Sequence, residues 1–418
     1  MTKRETDVAQ NDLDVIIEAG TILMEGGAEI YRVEETMRHM AAALQMTDFS
    51  AYVVNRGIIA SGTNRHGIHE AKATSVPETN IHLGKIEAVN ALSRNIEQQK
   101  EQSSQDVAQR LKEIRTMPDL PFGPVLLAYF FGAGCFSYAI GSPTEDALAS
   151  AIAGLVMGLA LRWGRRYIRT NVLLTILGSA VVAVSANVFY FCGFGHHRGL
   201  IILGALMLLV PGATFVNSVR EFAQNNYATG LTLLMSALLT CISIAVGVAL
   251  ATELLPFAEQ MTVAFSGSID SLSVMLVRTA AAGLGTVAFS YLFYASKRYF
   301  LTLGTLGAVS WFLYLLLAQQ FHSDVLAIFV SGLFVAACSK FFSVWQRCPI
   351  TIFLSTSIFP LMPGLSFYRA VYFLMTGSDA LAYTYMRSCF LSAFAIAIAI
   401  SIVQQIPLRI RMPLRHRG

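Results

Sequence analysis

Two short stretches set the same residue types in the same order: Leu209–Phe215 runs Leu-Val-Pro-Gly-Ala-Thr-Phe, and Leu361–Phe367 runs Leu-Met-Pro-Gly-Leu-Ser-Phe. Proline withholds an amide and clashes with the preceding turn, while glycine loosens the chain, so Pro211-Gly212 and Pro363-Gly364 should each interrupt a helix. At membrane depth such broken backbone is tolerated only inside protein or beside a watery cavity. Freed amides and the hydroxyls of Thr214 and Ser366 would then suit a polar ligand. Asn217 and Arg220 follow the first break, and Tyr368 and Arg369 follow the second. A deep arginine there is a carboxylate holder, because guanidinium meets carboxylate bidentately. An arginine that snorkels to the interface is a topology signal only. Arg278 is a third such cation and Asn187 a neutral polar group, both within apolar stretches. The plainer alternative, that each Pro-Gly merely ends a span, stays open beside the ligand reading.

A second cluster lies near the start, over Glu25-Gly26-Gly27-Ala28-Glu29-Ile30-Tyr31-Arg32-Val33-Glu34-Glu35. On one continuous helix Glu25, Glu29 and Arg32 would share a face at i, i+4 and i+7. That face is either a solvated ion-paired surface or a carboxylate pair for acid/base work, although no nucleophile–base–orienter set accompanies it. His66 and His69 lack further ligands at metal spacing and read as a polar loop. The six cysteines are scattered in or beside apolar stretches, as small buried residues are. There is no Walker loop and no dinucleotide fingerprint, which argues against an ATP-driven pump. No cofactor, metal or nucleic-acid partner is implied.

The elements that must position these residues are mostly apolar. Of 418 residues 55% are hydrophobic and only 13% charged, about half the charged share of a soluble chain. Residues 1–118 carry 13 Lys+Arg against 17 Asp+Glu, and the other 300 carry 17 against 9. An acidic domain therefore precedes a basic, greasy body. Spans of about 20 residues are expected near 121–140, 147–163, 172–194, 199–216, 229–255, 272–294, 300–318, 325–342, 349–366 and 383–403. Small residues crowd them, as in 147–158 and 280–285, which favours close helix packing. The same residues suit packing within the chain or a homo-oligomer. With the first segment inside, 16 Lys and Arg fall on the cytoplasmic side against Arg198, Arg369 and Arg387 outside, so both termini are expected in the cytoplasm of an inner-membrane protein.

Five spans separate the two Pro-Gly stretches, and an odd number gives the halves opposite orientations, the plan of many secondary transporters. The expected fold class is a polytopic α-helical membrane protein of about ten transmembrane helices in a 5+5 inverted repeat, with an N-terminal cytoplasmic α+β domain. Its parts are 1–118 soluble, 119–256 and 272–404 as the repeats, and 405–418 as a basic tail. In the soluble part, helices over 11–46 give way to strands near 49–54, 57–62 and 70–76, then to helices near 81–98 and 105–115, the last leading into the membrane. Glu221, Glu253 and Asp270 lie near span ends, and none stands out as a proton relay.

Gly27-Ala28-Glu29-x-x-Arg32-Val33-Glu34-x-x-Met37, Val89-Asn90-x-Leu92-x-Arg94 and Val210-Pro211-Gly212 with Asn217-Ser218-Val219-Arg220 resemble the threonine/serine exporter family over nearly the whole chain. Pro363-Gly364 with Tyr368-Arg369 resembles the short partner of two-chain members, so the chain looks like a fused form. The resemblance implies export of L-threonine and L-serine coupled to the proton gradient, with membrane lipid as surroundings and a small molecule as ligand. Related two-chain systems imply succinate efflux as an alternative. The resemblance also implies a hydrolase-like soluble domain, in which Glu29, Arg32, Glu34, Asn90 and Arg94 carry the motif. Gly26 departs from the commoner serine there. A membrane-tethered hydrolase or regulator is the alternative of another class.

Overall fold

The computed structural model describes residues 11–54, 56–76, 81–98, 103–254 and 271–406, without the side chains of 252–254. The expected basic tail from residue 407, the end of the first repeat at 255–256, the loop that follows it, and the side chains of Glu253 and Asp270 lie outside the described residues. The chain divides into two compact units, residues 1–120 with 293–296, and residues 121–292 with 297–418.

The first unit contains α1 (Asp12–Glu25), α2 (Ile30–Ala43), strands β1 (Thr47–Val54), β2 (Gly57–Thr63) and β3 (His69–Ser75), α3 (Leu83–Gln98) and α4 (Ser104–Arg115). The strands form an antiparallel sheet in the order β1-β2-β3. α1 starts where the Asn11 side chain accepts from the Asp12 amide, and it buries Leu13, Ile16, Ile17 and Leu23. It approaches α2 closely, because a Cβ on Gly20 would lie 2.6 Å from Met37 Sδ.

Glu25, Glu29 and Arg32 do not share a helix face. Gly27 adopts φ +81°, which only glycine takes readily, so α1 ends at Glu25 and Glu29 caps the separate α2. Glu25 instead pairs with Arg115 Nη2 at 2.7 Å, while Glu18 takes Nη1 of the same arginine at 2.6 Å. Arg32 lies 3.9 Å from Glu35, Glu34 Oε1 accepts the Val53 amide at 3.1 Å, and Arg94 Nε donates to the Asn90 carbonyl at 3.3 Å. α4 stops at Arg115 and does not continue into the next helix, since Pro118 and Pro121 cannot extend it.

In the same unit His82 stacks on Tyr294 at 4.0 Å, and its Nδ1 accepts the Lys85 amide at 3.1 Å. Burial, with Lys85 adding to it, pushes the imidazole down to about 4.

The second unit is helical. A first run holds α5 (Phe122–Ala139), α6 (Thr144–Gly164), α7 (Asn171–Phe191), α8 (Arg198–Leu206), α9 (Gly212–Ala223) and α10 (Tyr227–Leu254). A second holds α11 (Leu272–Leu292), α12 (Phe300–Phe321), α13 (Asp324–Gln346), α14 (Ile350–Ser357), α15 (Gly364–Met375) and α16 (Asp379–Gln405). Each run is three long helices, two short ones and a long one. From the short pair onward the register is constant, because α14, α15 and α16 start 152 residues after α8, α9 and α10. Helices meet at small residues: a Cβ on Gly154 of α6 would lie 2.5 Å from Ala133 Cβ of α5, and one on Gly283 of α11 would lie 2.9 Å from the Gly304 carbonyl of α12.

Among the described residues eight helices are long and apolar enough to cross a membrane, and the α14–α15 pair, bent by 42°, makes nine if counted as one span. Ten were expected. α8 and α9 account for the difference, because at 9 and 12 residues neither covers a hydrocarbon core of about 30 Å alone. The breaks also sit deeper in their elements than the expected spans 199–216 and 349–366 imply. Helix resumes after each Pro-Gly, running to Ala223 and Met375.

Candidate functional site

Pro211 and Pro363 cap α9 and α15 with nearly the same backbone, φ −82°, ψ 47° and φ −78°, ψ 34°. Each carbonyl begins the new helix by accepting the amide four residues on, from Phe215 and Phe367, at 3.0 Å in both cases. The two breaks touch. A Cβ on Gly212 would lie 3.4 Å from Gly364 Cα, and a Cβ on Gly364 would lie 3.2 Å from Gly212 Cα. One turn further along, Phe215 and Phe367 stack with ring centroids 4.4 Å apart. The breaks therefore cross backbone to backbone, with a glycine on each side of the contact.

A cavity of about 330 Å³ lies beside the second break. Pro363, Ser366 and Arg369 line it from the break and α15, Trp311 and Tyr314 from α12, Asp324 from α13, and Thr384, Tyr385, Ser388 and Ser392 from α16. Thr384, Ser388 and Ser392 recur every four residues, which puts three hydroxyls on one stripe of α16. Asp324 and Thr384 are exposed, Tyr314, Ser366 and Ser388 half-buried, and Trp311, Arg369 and Ser392 buried, so the cavity deepens toward Arg369. Arg369 holds its guanidinium 5.4 Å from the Tyr385 ring centroid, and Tyr314 donates to Asp324 Oδ1 at 3.3 Å. The first-turn amides of α15 have no acceptor within their own helix, so that end also favours an anion. The cavity thus offers a buried cation, a carboxylate nearer the mouth, and hydroxyls between them. A second groove, of about 370 Å³ between α5, α6 and α11, has an almost wholly apolar lining that includes Phe130, Phe131, Leu148 and Leu284. A zwitterion would lose its solvation there without return.

Residues 14–255 match the family model described as "Putative threonine/serine exporter", and residues 278–406 match the one described as "Threonine/Serine exporter, ThrE". The chain belongs to the threonine/serine exporter family. A family member from Corynebacterium glutamicum, "Threonine/serine exporter", is 21% identical over 351 residues, 81% of this chain and 70% of that protein. Another from Mycobacterium tuberculosis, "Probable threonine/serine exporter", is 22% identical over 378 residues, 86% of this chain and 69% of that protein. No solved structure matches. Family and apolar helices together make this a multi-pass membrane protein in which both halves of the family's pattern lie on one chain.

In this exporter-family chain the residues singled out from the sequence separate into groups. Pro363, Ser366 and Arg369 line the cavity, while Gly364 and Tyr368 are buried beside it on α15. Pro211, Gly212, Thr214 and Asn217 belong to the first break and α9, and are not among the lining residues. By the constant register Thr214 corresponds to Ser366, and Asn217 to Arg369. Arg220 is buried in the last turn of α9, away from the lining. Arg278 is also outside it, with its Nη2 3.2 Å from the Cβ position of Gly141. Asn187 accepts from Arg198 Nη1 at 3.3 Å, a bond between neighbouring helices.

Sequence reading missed Trp311, Asp324 and the α16 stripe, although the 384/388/392 spacing was a usable signal. It also missed Asp146, a fully buried carboxylate in the first turn of α6. Asp146 Oδ1 accepts the amides of His196 at 2.6 Å and His197 at 3.2 Å, and Oδ2 lies 2.8 Å from His197 Nδ1. These bonds fasten the start of α8, the helix that leads to the first break.

Proposed function

We propose that this protein is a secondary active exporter of small hydroxy amino acids, L-threonine and L-serine, across the cytoplasmic membrane, with the proton gradient as driving force. The observation that carries the proposal is the shared cavity of Arg369 and Asp324. Arg369 takes the substrate carboxylate, Asp324 its ammonium group, and the hydroxyls of Ser366, Ser388 and Ser392 the side-chain oxygen. A dicarboxylate would call for two cationic partners, whereas this lining sets one cation against one carboxylate. The printed names of the two relatives point the same way.

The constant register of the short helices and the matched Pro-Gly breaks support a 5+5 inverted repeat, with α8–α9 counted as one broken span and α14–α15 as the other. Cytoplasmic termini and an inner-membrane location rest on the distribution of basic residues. In that orientation the cavity mouth at Asp324 faces outward, and crossing of the breaks at Gly212 and Gly364 is where access would alternate. Pro211, Gly212, Thr214, Asn217 and Arg220 then contribute from the first half when the opposite side opens, and Arg278 acts as a supporting cation. The first unit, with Glu29, Arg32, Glu34, Asn90 and Arg94, acts as a cytoplasmic accessory.

The test is efflux from cells preloaded with threonine, serine or succinate, with and without the protein, repeated after the proton gradient is collapsed. Threonine and serine efflux should depend on the protein and stop on collapse. Succinate efflux alone, or none, would refute the proposal.

A further inference from the structure

At the constant spacing of 152 residues, the cavity-lining hydroxyls Thr384, Ser388 and Ser392 of α16 correspond to Thr232, Ser236 and Thr240 of α10. Residues 231–240 and 383–392 agree only at Thr232/Thr384, Ser236/Ser388, Leu239/Leu391 and the hydroxyl pair Thr240/Ser392. The stripe is thus most of what these two segments share. Their surroundings recur as well. Leu231, Met235 and Leu239 are exposed, as are Tyr383, Arg387 and Leu391, while Ala237 and Cys241 are buried, as are Cys389 and Ala393. Thr232 donates to the Ala228 carbonyl at 2.8 Å, and Thr384 to the Ala380 carbonyl at 2.9 Å. A hydroxyl engaged in this way keeps lone pairs for accepting. α10 packs on α7, α9 and α15, the counterparts of the α13, α15 and α9 on which α16 packs.

The neighbouring positions carry polar groups too. On α9, Thr214 and Asn217 are three residues apart, hence on one face, and both are half-buried, so that face is not sealed in the core. They correspond to Ser366 and Arg369. α7 begins with Asn171 where α13 begins with Asp324, and both residues are exposed. The hydroxyls therefore recur, and an amide stands at the position of each charged group. A carboxamide donates to a carboxylate through its nitrogen and accepts from an ammonium through its oxygen, so both ends of an amino acid still find a partner.

We infer that the first half carries a second binding site for the transported amino acid, on the cytoplasmic side, in which Thr232, Ser236 and Thr240 with Thr214, Asn217 and Asn171 receive the ligand before it passes to Arg369 and Asp324. This assignment rests on the exporter reading and on its orientation, in which α10 starts at the cytoplasmic face.

Ser236, at the centre of the stripe, provides the test, with the full chain in inside-out and right-side-out membrane vesicles. Ser236→Ala should raise the threonine KM for uptake into inside-out vesicles about two- to tenfold, the range of one neutral hydrogen bond, with a smaller effect in right-side-out vesicles. Ser236→Cys should react with a permanently charged, membrane-impermeant methanethiosulfonate in inside-out vesicles only, and threonine should slow the reaction with half-effect near its KM. Peptide mass mapping separates this label from the native cysteines. No reaction from either face would place Ser236 against lipid and overturn the inference. Reaction from the outer face, reaction that threonine does not slow, or an equal KM change in both vesicle types would overturn it as well. If Ser236→Ala fails to reach the membrane, threonine protection of Ser236→Cys still decides, and of Thr240→Cys if that variant fails too. An unmodified chain that moves no threonine in either vesicle type defeats the exporter reading together with this one, whereas transport without protection at position 236 defeats this one alone.

Discussion

Gly212 and Gly364 lie back to back where the two helix breaks cross, and a Cβ on either would come within 3.4 Å of the other's Cα. The contact is unequal. A Cβ on Gly364 would come within 2.7 Å of Val210 Cγ1, whereas the nearest atom to one on Gly212 is Met362 Cβ at 3.2 Å. Gly364→Ala should therefore cost more transport than Gly212→Ala, and Gly364→Leu should abolish it, with overpacking of about 1–3 kcal/mol at the crossing. Threonine efflux at matched membrane abundance measures this. Equal activity of Gly364→Leu and wild type would show that the crossing carries no function.

Replacement of Arg369 removes the one buried cation of the cavity. A hydrogen bond to a charged group contributes about 1.5–3 kcal/mol, so Arg369→Gln should raise the threonine KM by roughly 10- to 100-fold. Asp324→Asn should weaken amino acids but not a hydroxy acid of the same size that lacks the ammonium group. Competition by paired ligands against threonine uptake in proteoliposomes separates the two effects.

Ser388 sits at the middle of the α16 stripe, half-buried in the cavity wall. Loss of one neutral hydrogen bond amounts to about 0.5–1.5 kcal/mol. Ser388→Ala should thus lower the preference for serine over alanine by a few-fold to about tenfold while leaving alanine itself unaffected. An unchanged ratio would remove Ser388 from the site.

Asp146→Ala leaves two amides and an imidazole without their buried acceptor. The expected loss is about 1.5–3 kcal/mol of stability, the scale of a hydrogen bond to a charged group, because His197 is half-exposed and no buried charge is left behind. Asp146→Asn keeps an oxygen for the amides and should lose less. Thermal unfolding in detergent ranks wild type, Asn and Ala in that order, and an Ala variant as stable as wild type would contradict the fastening of α8.

His82 binds a proton less readily in the folded first unit than its ordinary value of 6.5 allows, at about 4. Between those values the unfolded chain binds more protons, so stability rises with pH across that window. The contribution is complete above about 6.5 and lost as pH falls toward 4. Unfolding of the protein followed at pH 4.5 and pH 7, with His82→Phe as comparison, should show a smaller acid sensitivity in the variant. Identical slopes would place the sensitivity elsewhere.

Chain-local chemistry made much of this protein legible in advance. Long apolar stretches with small residues announce packed membrane helices, Pro-Gly inside such a stretch announces a break, and alternation near the start announces β1 and β2, because each depends on neighbours a few residues away. The Gly26-Gly27 pair likewise marked an interruption, yet only the left-handed turn at Gly27 separates Glu25 from Glu29 and hands it to Arg115, 90 residues distant. The tertiary structure alone decided which arginine meets a cavity, since Arg220, Arg278 and Arg369 look alike in sequence and only Arg369 faces Trp311, Asp324 and the α16 hydroxyls. It decided too that a buried carboxylate at Asp146 holds a loop 50 residues away. Such pairings arise from the crossing of helices far apart in the chain, and no local periodicity encodes where two helices cross.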